Sequence, residues 1–350
     1  MMADTIPGDD LRQYRASRGW EQPQLAAHLN EVLGRRYDKA RISRWESGAE
    51  RIPQIVAQAI RAEQPPAGGG IPTARNLAPA LTLAVSLQKG GVAKTTTSVN
   101  VAYLLAKKGF RVLLVDGDPQ GSATTNLGED AHGLELKKKT LTTLLDSRSD
   151  LPTREAITPV CEGLFDLIAS SIALSEIEVS LMSDPTSSLA LREKLSEVSS
   201  DYDFIVIDTP PNLGLLTASA LGAADLVLIP SQTEQLSLMG IPLLLRAIDR
   251  TKRRINRNLQ VLGILPTHYD PRTVVDKAML AELRTIAERH GVELFEPISR
   301  AVAYKESVLA GKPALERTPD VAGNESFRRI ADRLVEIAET RAKEYAHEPV

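Results

Sequence analysis

Cysteine is almost absent from this sequence. A single thiol, Cys161, among 350 residues excludes a disulfide framework and any cysteine metal cluster within one chain, so a reduced, cytoplasmic setting fits best. There is no excess of positive charge either. The formal net charge is −3, so any attraction for nucleic acid must come from local patches. No run approaches 18 apolar residues, so no membrane span is expected. Residues 1–10 are acidic and lack an apolar stretch, so no secretory signal is expected there. The five histidines show no metal-ligand spacing, and Cys161 reads as a small buried hydrophobe. What remains is an ordinary globular balance, 43% apolar and 25% charged.

The clearest break is QPPAGGGIPTARNLAPA at 64–80, where Pro and Gly favour an extended or flexible linker. It divides a small domain, 1–63, from a long one, 81–350. The long part alternates apolar runs (81–87, 111–115, 165–169, 204–207, 226–229, 260–265 and 292–295) with amphipathic stretches (96–108, 189–199, 239–256, Val274–His290 and 325–343). The runs mostly do not alternate with polar residues, as expected for strands buried on both faces of a parallel sheet. The expected fold is α/β, a mostly parallel sheet with helices on both faces, preceded by a small all-α domain.

The first run leads into Gln88-Lys89-Gly90-Gly91-Val92-Ala93-Lys94-Thr95-Thr96 and then a helix. Strand, Gly-rich loop and helix together make a phosphate cradle. Glycines let backbone N–H groups approach phosphate oxygens, and the helix N-terminus adds donors and partial positive charge. Lys89 to Thr96 are the candidate nucleotide-binding residues: Lys89, Gly90, Gly91, Val92, Ala93, Lys94, Thr95 and Thr96. Lys94 is placed for the β- and γ-phosphates, and the Thr95 hydroxyl for Mg²⁺.

Two later runs end in carboxylates, VLLVDGDPQ at Asp116 and Asp118 and DFIVIDTPPN at Asp208. Ligands in open α/β sheets sit beyond the carboxyl ends of the strands. Asp208 fits a Mg²⁺ ligand acting through water, Asp118 a group that orients the attacking water, and Asp116 a support of the metal shell. Any single strand-end Asp also suits a helix cap or turn.

The loop resembles the deviant Walker A motif, K-G-G-x-x-K-[ST]. With VLLVDGDPQGSATTNLG and DFIVIDTPPNLGLLTASAL, the chain from 81 to 336 resembles the ParA-type partition ATPases of the MinD/ParA group. The resemblance implies a P-loop NTPase fold, ATP and Mg²⁺ as cofactors, and an ATP-dependent sandwich homodimer. It also implies slow hydrolysis stimulated by a ParB-type centromere-binding protein. Lys89, Lys94 and Asp118 are then catalytic, with Lys89 crossing to the partner's nucleotide, and the protein is expected on the nucleoid in plasmid or chromosome segregation. There are departures. Ala93 replaces a usual glycine. The family's I-P-R-N-V-R reads Ile298-Ser299-Arg300-Ala301-Val302-Ala303, without the proline and asparagine that help hold adenine.

Residues 11–53 look like a Cro/repressor-type helix-turn-helix. A helix at 22–29 and a second at 38–45, with Asp38 as N-cap, are joined by a long turn at 31–37. Ile42 and Trp45 point inward, while Lys39, Arg41, Ser43 and Arg44 face outward toward a major groove. Residues 1–62 carry ten Lys/Arg and eight Asp/Glu, a net of only +2, so a protein-docking role stays open. A second basic stretch, 246–257, holds six cations, and Arg250, Arg253, Arg254, Arg272 and Arg300 are candidates for non-specific DNA contact; a solvated helix face is the other reading. The terminal helix carries acidic residues and ends in His-Glu-Pro-Val, unlike the basic membrane helix of MinD relatives. A nucleotide-sensing repressor and a MinD-like positioning ATPase are the alternatives to partition.

Overall fold

The computed structural model describes residues 8–18, 20–53, 55–57, 60, 79–181, 187–321 and 323–347. It divides into two compact units, Met1–Gly69 and Gly70–Val350. Of the expected linker at 64–80, all but Pro79 and Ala80 lies outside the described residues.

In the first unit, helices span Gly8–Ser17, Gln22–Leu33 and Lys39–Glu46. The second runs one turn further than its sequence spacing suggested, so the turn is 34–38, shorter than expected. Gly34 ends that helix in the left-handed region, φ 61°, where a side chain is disfavoured. Asn30 clamps the turn, its side chain accepting from Tyr37 N at 2.5 Å and donating to Tyr37 O at 2.9 Å. Asp38 caps the next helix by accepting from Arg41 N at 2.8 Å. Leu11, Leu25, Leu29, Ile42 and Trp45 form the core of this unit. Each such aliphatic side chain contributes about 1.5–3 kcal/mol when fully buried. Glu46, though charged, is buried because Arg15 Nε (2.6 Å) and Gln22 Nε2 (2.9 Å) donate to it.

The strands of the second unit are β1 Leu81–Val85, β2 Val112–Asp116, β3 Thr158–Val160, β4 Phe165–Ile168, β5 Phe204–Asp208, β6 Leu226–Gln232, β7 Gln260–Tyr269, β8 Glu293–Leu294 and β9 Ile298–Ser299. They form one sheet in the order β3-β4-β2-β5-β1-β6-β7-β8, with β9 also on β7. All pairs are parallel except β3 with β4. Every residue of β1, β2 and β5 is buried, which is why these runs lack alternation. Successive residues feed opposite faces: Val112 and Leu114 pack into the core on one side of the sheet, Leu113 and Val115 into the core on the other.

Several elements differ from their expected bounds. The helix after the phosphate loop is Lys94–Lys107, and the one expected at 239–256 starts a turn earlier, at Gln235–Arg254, with Pro242 inside it. The stretch expected as a helix at 189–199 is a short helix, Ala190–Ser196, after a 3₁₀ turn at Ser187–Leu189. β7 runs four residues past the apolar stretch that marked it, to Tyr269, because its end pairs with β6 and β9 instead of ending in solvent. β3 and β9 are too short and too polar to show a pattern. Cys161, expected to be buried, is only half-buried, because it lies in the turn between β3 and β4. The terminal helix, Asn324–His347, buries Phe327, Ile330, Ala331 and Leu334 in the core that the Lys94–Lys107 helix also lines. Its apolar face is thus already covered. No described helix is long and apolar enough to cross a membrane.

Candidate active site

The phosphate loop leaves β1 at the carboxyl edge of the sheet, between β5 and β6. Gly91 and Ala93 both lie in the left-handed region, with φ 75° and 68°. Gly91 does so without strain; Ala93 does not. Ala93 is the N-cap of the Lys94–Lys107 helix, and its carbonyl accepts from Thr97 N at 2.9 Å and Thr97 Oγ1 at 2.7 Å. Lys94 is buried, and its ammonium donates to Lys89 O at 2.7 Å. Burial lowers its pKa, while the nearby charges of Asp208 and Asp118 oppose that shift.

The end of β5 sits against this helix. Thr95 Oγ1 donates to Asp208 Oδ2 at 2.6 Å, and Ser98 Oγ to Asp208 Oδ1 at 3.0 Å. Asp208 is fully buried, and burial, with the charge of Asp116 behind it, pushes its pKa up to about 7. Thr95 and Asp208 are thereby brought together. A hydroxyl and a carboxylate are hard oxygen donors, which fits Mg²⁺ held partly by water and phosphate. Among the described residues no group of three or more His, Cys, Asp or Glu could cage a metal with protein ligands alone.

Asp116 is held differently. Its Oδ2 accepts from Thr124 N and Thr124 Oγ1, each at 2.8 Å, and its Oδ1 from Asp118 N at 3.2 Å. Burial raises its pKa to about 6. These bonds make it an anchor for the 117–121 turn that carries Asp118 and for the short helix Ser122–Asn126 that follows. Gly117 allows β2 and β5 to close at this point: its N–H donates to Asp208 O at 2.9 Å, and an added Cβ would lie 2.8 Å from that oxygen. Asp118 is nearly buried and accepts from Gln120 N at 3.0 Å.

Lys89 folds back onto its own chain, paired with Glu234 and reaching Gln232 Oε1 at 3.4 Å. Gln232 also donates to Gly91 O at 2.6 Å and bonds His268 Nδ1 at 2.7 Å. This ties the loop to a cavity of about 620 Å³ lined by Gln232, His268, Tyr269, Asp270, Ser299 and Arg300. Burial first, then Arg300, Lys305 and Lys89, lowers the pKa of His268. Sequence reasoning missed Ser98, Thr124, Gln232, Glu234 and His268. Ser98 had a readable signal, one helical turn after Lys94; Thr124 lies only eight residues beyond Asp116, on the short helix Ser122–Asn126, with no pattern to mark it; Gln232, Glu234 and His268 arrive from distant strands and loops.

Lys39, Arg41, Ser43 and Arg44 are exposed on the Lys39–Glu46 helix, and Arg250, Arg253 and Arg254 near the end of the Gln235–Arg254 helix. Arg300 is exposed at the cavity. Arg272 is paired with Asp270 through Nη2 at 2.7 Å, which holds that carboxyl at about 2.

An AAA domain family model matches residues 80–261. The chromosome partitioning protein ParA of Myxococcus xanthus is 36% identical, over 72% of this chain and 87% of its own length. The sporulation initiation inhibitor protein Soj of Bacillus subtilis is 36% identical, over 72% of this chain and 97% of its own. This chain belongs to the ParA/Soj family of partitioning ATPases. Among solved structures, a cobyrinic acid a,c-diamide synthase of Mycobacterium smegmatis with bound ADP and magnesium is 34% identical, covering 73% of this chain and 94% of that one, with a TM-score of 0.61. An apo McdA of Cyanothece, 23% identical with a TM-score of 0.66 over 73% of this chain and 99% of its own, shares the fold. The loop at Lys89–Thr96 and the strand-end aspartates stand side by side at the carboxyl ends of the neighbouring strands β1, β2 and β5.

Proposed function

We propose that this ParA/Soj-family ATPase uses MgATP to close a homodimer that grips DNA, and that a ParB-type centromere-binding partner stimulates hydrolysis to release it. The observation that carries the reading is the second lysine of the loop. Lys89 lies at the rim of the crevice, 22% exposed, its ammonium held by Glu234 and Gln232 of its own chain. Once those contacts exchange, it can reach a facing nucleotide.

The residues divide the chemistry as follows. Lys94 exchanges the Lys89 carbonyl for the β- and γ-phosphates, losing one hydrogen bond and gaining charge-assisted ones. Thr95 and Asp208, hydrogen-bonded to each other in the nucleotide-free fold, are the residues that would hold Mg²⁺, which would supply charge neutralisation at the phosphates. Asp116 keeps the 117–121 turn in place through Thr124. Asp118 orients the water that attacks the γ-phosphorus, and Lys94 stabilises the charge that develops on the departing ADP oxygen. The N-terminal unit supplies operator binding and autorepression, through Lys39, Arg41, Ser43 and Arg44. Arg250, Arg253, Arg254, Arg272 and Arg300 supply the non-specific DNA contacts.

The test is ATP turnover with and without DNA and the product of the neighbouring gene, with dimerisation followed by light scattering. Turnover that neither DNA nor that product changes sinks the proposal. The likeness to the Mycobacterium smegmatis synthase favours one other reading, ATP-driven amide formation on a carboxylic acid. Turnover that requires such an acid and ignores DNA would select it.

A further inference from the structure

We propose that Glu50 is a positioning residue that aims Arg41 and Arg44 at base edges, converting a sticky basic helix into a selective one. The inference rests on the reading of the N-terminal unit as an operator-binding module.

One carboxylate serves both arginines. Arg41 Nε donates to Glu50 Oε1 at 3.0 Å, and Arg44 Nε to Glu50 Oε2 at 3.1 Å. Glu50 is itself fixed, its N–H donating to Arg44 O at 3.1 Å across the turn at Gly48, φ 75°. Arg44 chiefly, and Arg41, lower the pKa of Glu50, so it is ionised at neutral pH. Arg41 also lies over the rings of Trp45 and Tyr37, 5.7 and 5.8 Å from their centroids.

The atoms used decide what remains. Binding through Nε fixes the plane of each guanidinium and leaves its terminal Nη pair for other partners. That pair is the fork that spans O6 and N7 of guanine. Both arginines stay accessible, at 45% and 52% side-chain exposure. They follow one another by three residues, so both face the same side of the helix. Holding them in one orientation before binding removes ordering cost at the correct site. The same carboxylate cancels one of their two charges, which weakens attraction for phosphate at every other site. An exposed ion pair does little for folding, so a role in recognition accounts for the arrangement better than one in stability.

The experiment selects binding sites from a pool of random duplexes with the full chain and with Glu50→Gln, then measures affinity for the selected and a shuffled duplex across a salt series. The wild type should enrich a site with guanines at defined positions. Glu50→Gln should lose preference at those guanines, by roughly tenfold in the ratio of the two affinities. Its binding to the shuffled duplex should strengthen, with a salt slope steeper by about one. Its unfolding midpoint should match the wild type, separating recognition from folding. If the wild type enriches a site and Glu50→Gln reads it equally well, the role of Glu50 is overturned while the operator reading stands. If the wild type enriches no sequence, the operator reading falls and this inference with it.

Discussion

Replacing Ala93 with glycine should stabilise the nucleotide-free protein. Ala93 has φ 68° and ψ 28°, a left-handed conformation that costs a non-glycine residue about 1–2 kcal/mol. Glycine removes that cost but has more freedom to lose on folding, about 0.4–1 kcal/mol. Glycine is also the better N-cap of the two. The bonds from Thr97 to the residue-93 carbonyl need no side chain and survive the change. The net gain is about 0.5–1 kcal/mol, or an increase of roughly 1–4 °C in the unfolding midpoint. Circular dichroism melts of the full chain without nucleotide measure it. Ala93→Val, β-branched in the same conformation, should lower the midpoint. A lower midpoint for Ala93→Gly, or an unchanged one for Ala93→Val, would falsify the view that residue 93 carries the strain of this loop.

Other changes separate the roles in the crevice. Lys94→Ala should weaken ATP binding by roughly 10- to 100-fold, the loss of a charged hydrogen bond or two, in a fluorescent-nucleotide titration. Asp118→Ala should still bind ATP but lose roughly 100-fold or more in turnover and stay on DNA; identical behaviour of the two variants rules out the division of labour. Because burial raises the pKa of Asp208 to about 7, its carboxyl keeps a proton below that pH. Magnesium-dependent nucleotide affinity should therefore rise as pH climbs through about 7, and Asp208→Asn should flatten the profile. The raised pKa also means that the nucleotide-free fold is most stable on the acid side, losing this contribution as pH rises from the ordinary aspartate range to about 7. Replacing Arg250, Arg253 and Arg254 together with alanine should reduce the salt dependence of DNA binding by about two to three in slope, leaving ATP affinity alone. An unchanged slope leaves these three as a solvated helix face.

Much of the site was legible because it is local. A strand, a Gly-rich loop and a helix follow one another in the chain, so Lys94 and Thr95 could be placed at the helix start from order alone, while Lys89 stood out only through the motif resemblance. Asp116, Asp118 and Asp208 stand at the ends of fully buried strands, and such strands show as unbroken apolar runs. Boundaries were less legible. Gln235–Arg254 begins before its apolar pattern does, since exposed Leu236 and Met239 blur the helical face.

Residue order and the apolar pattern were enough for the α/β class, the Gly-rich loop and the acidic strand ends, and the resemblance of three short motifs was enough for the family, because each depends on residues close together in the chain. What those residues touch was settled by the folded chain alone. Folding put Thr95 and Ser98 on Asp208, Thr124 on Asp116, and Glu234 and Gln232 on Lys89. It also set Ala93 in the glycine conformation that its neighbours impose. Pairings of this kind join positions as far apart in the chain as Lys89 and Glu234, and sheet order, which local pattern does not encode, is what brings such distant ones together.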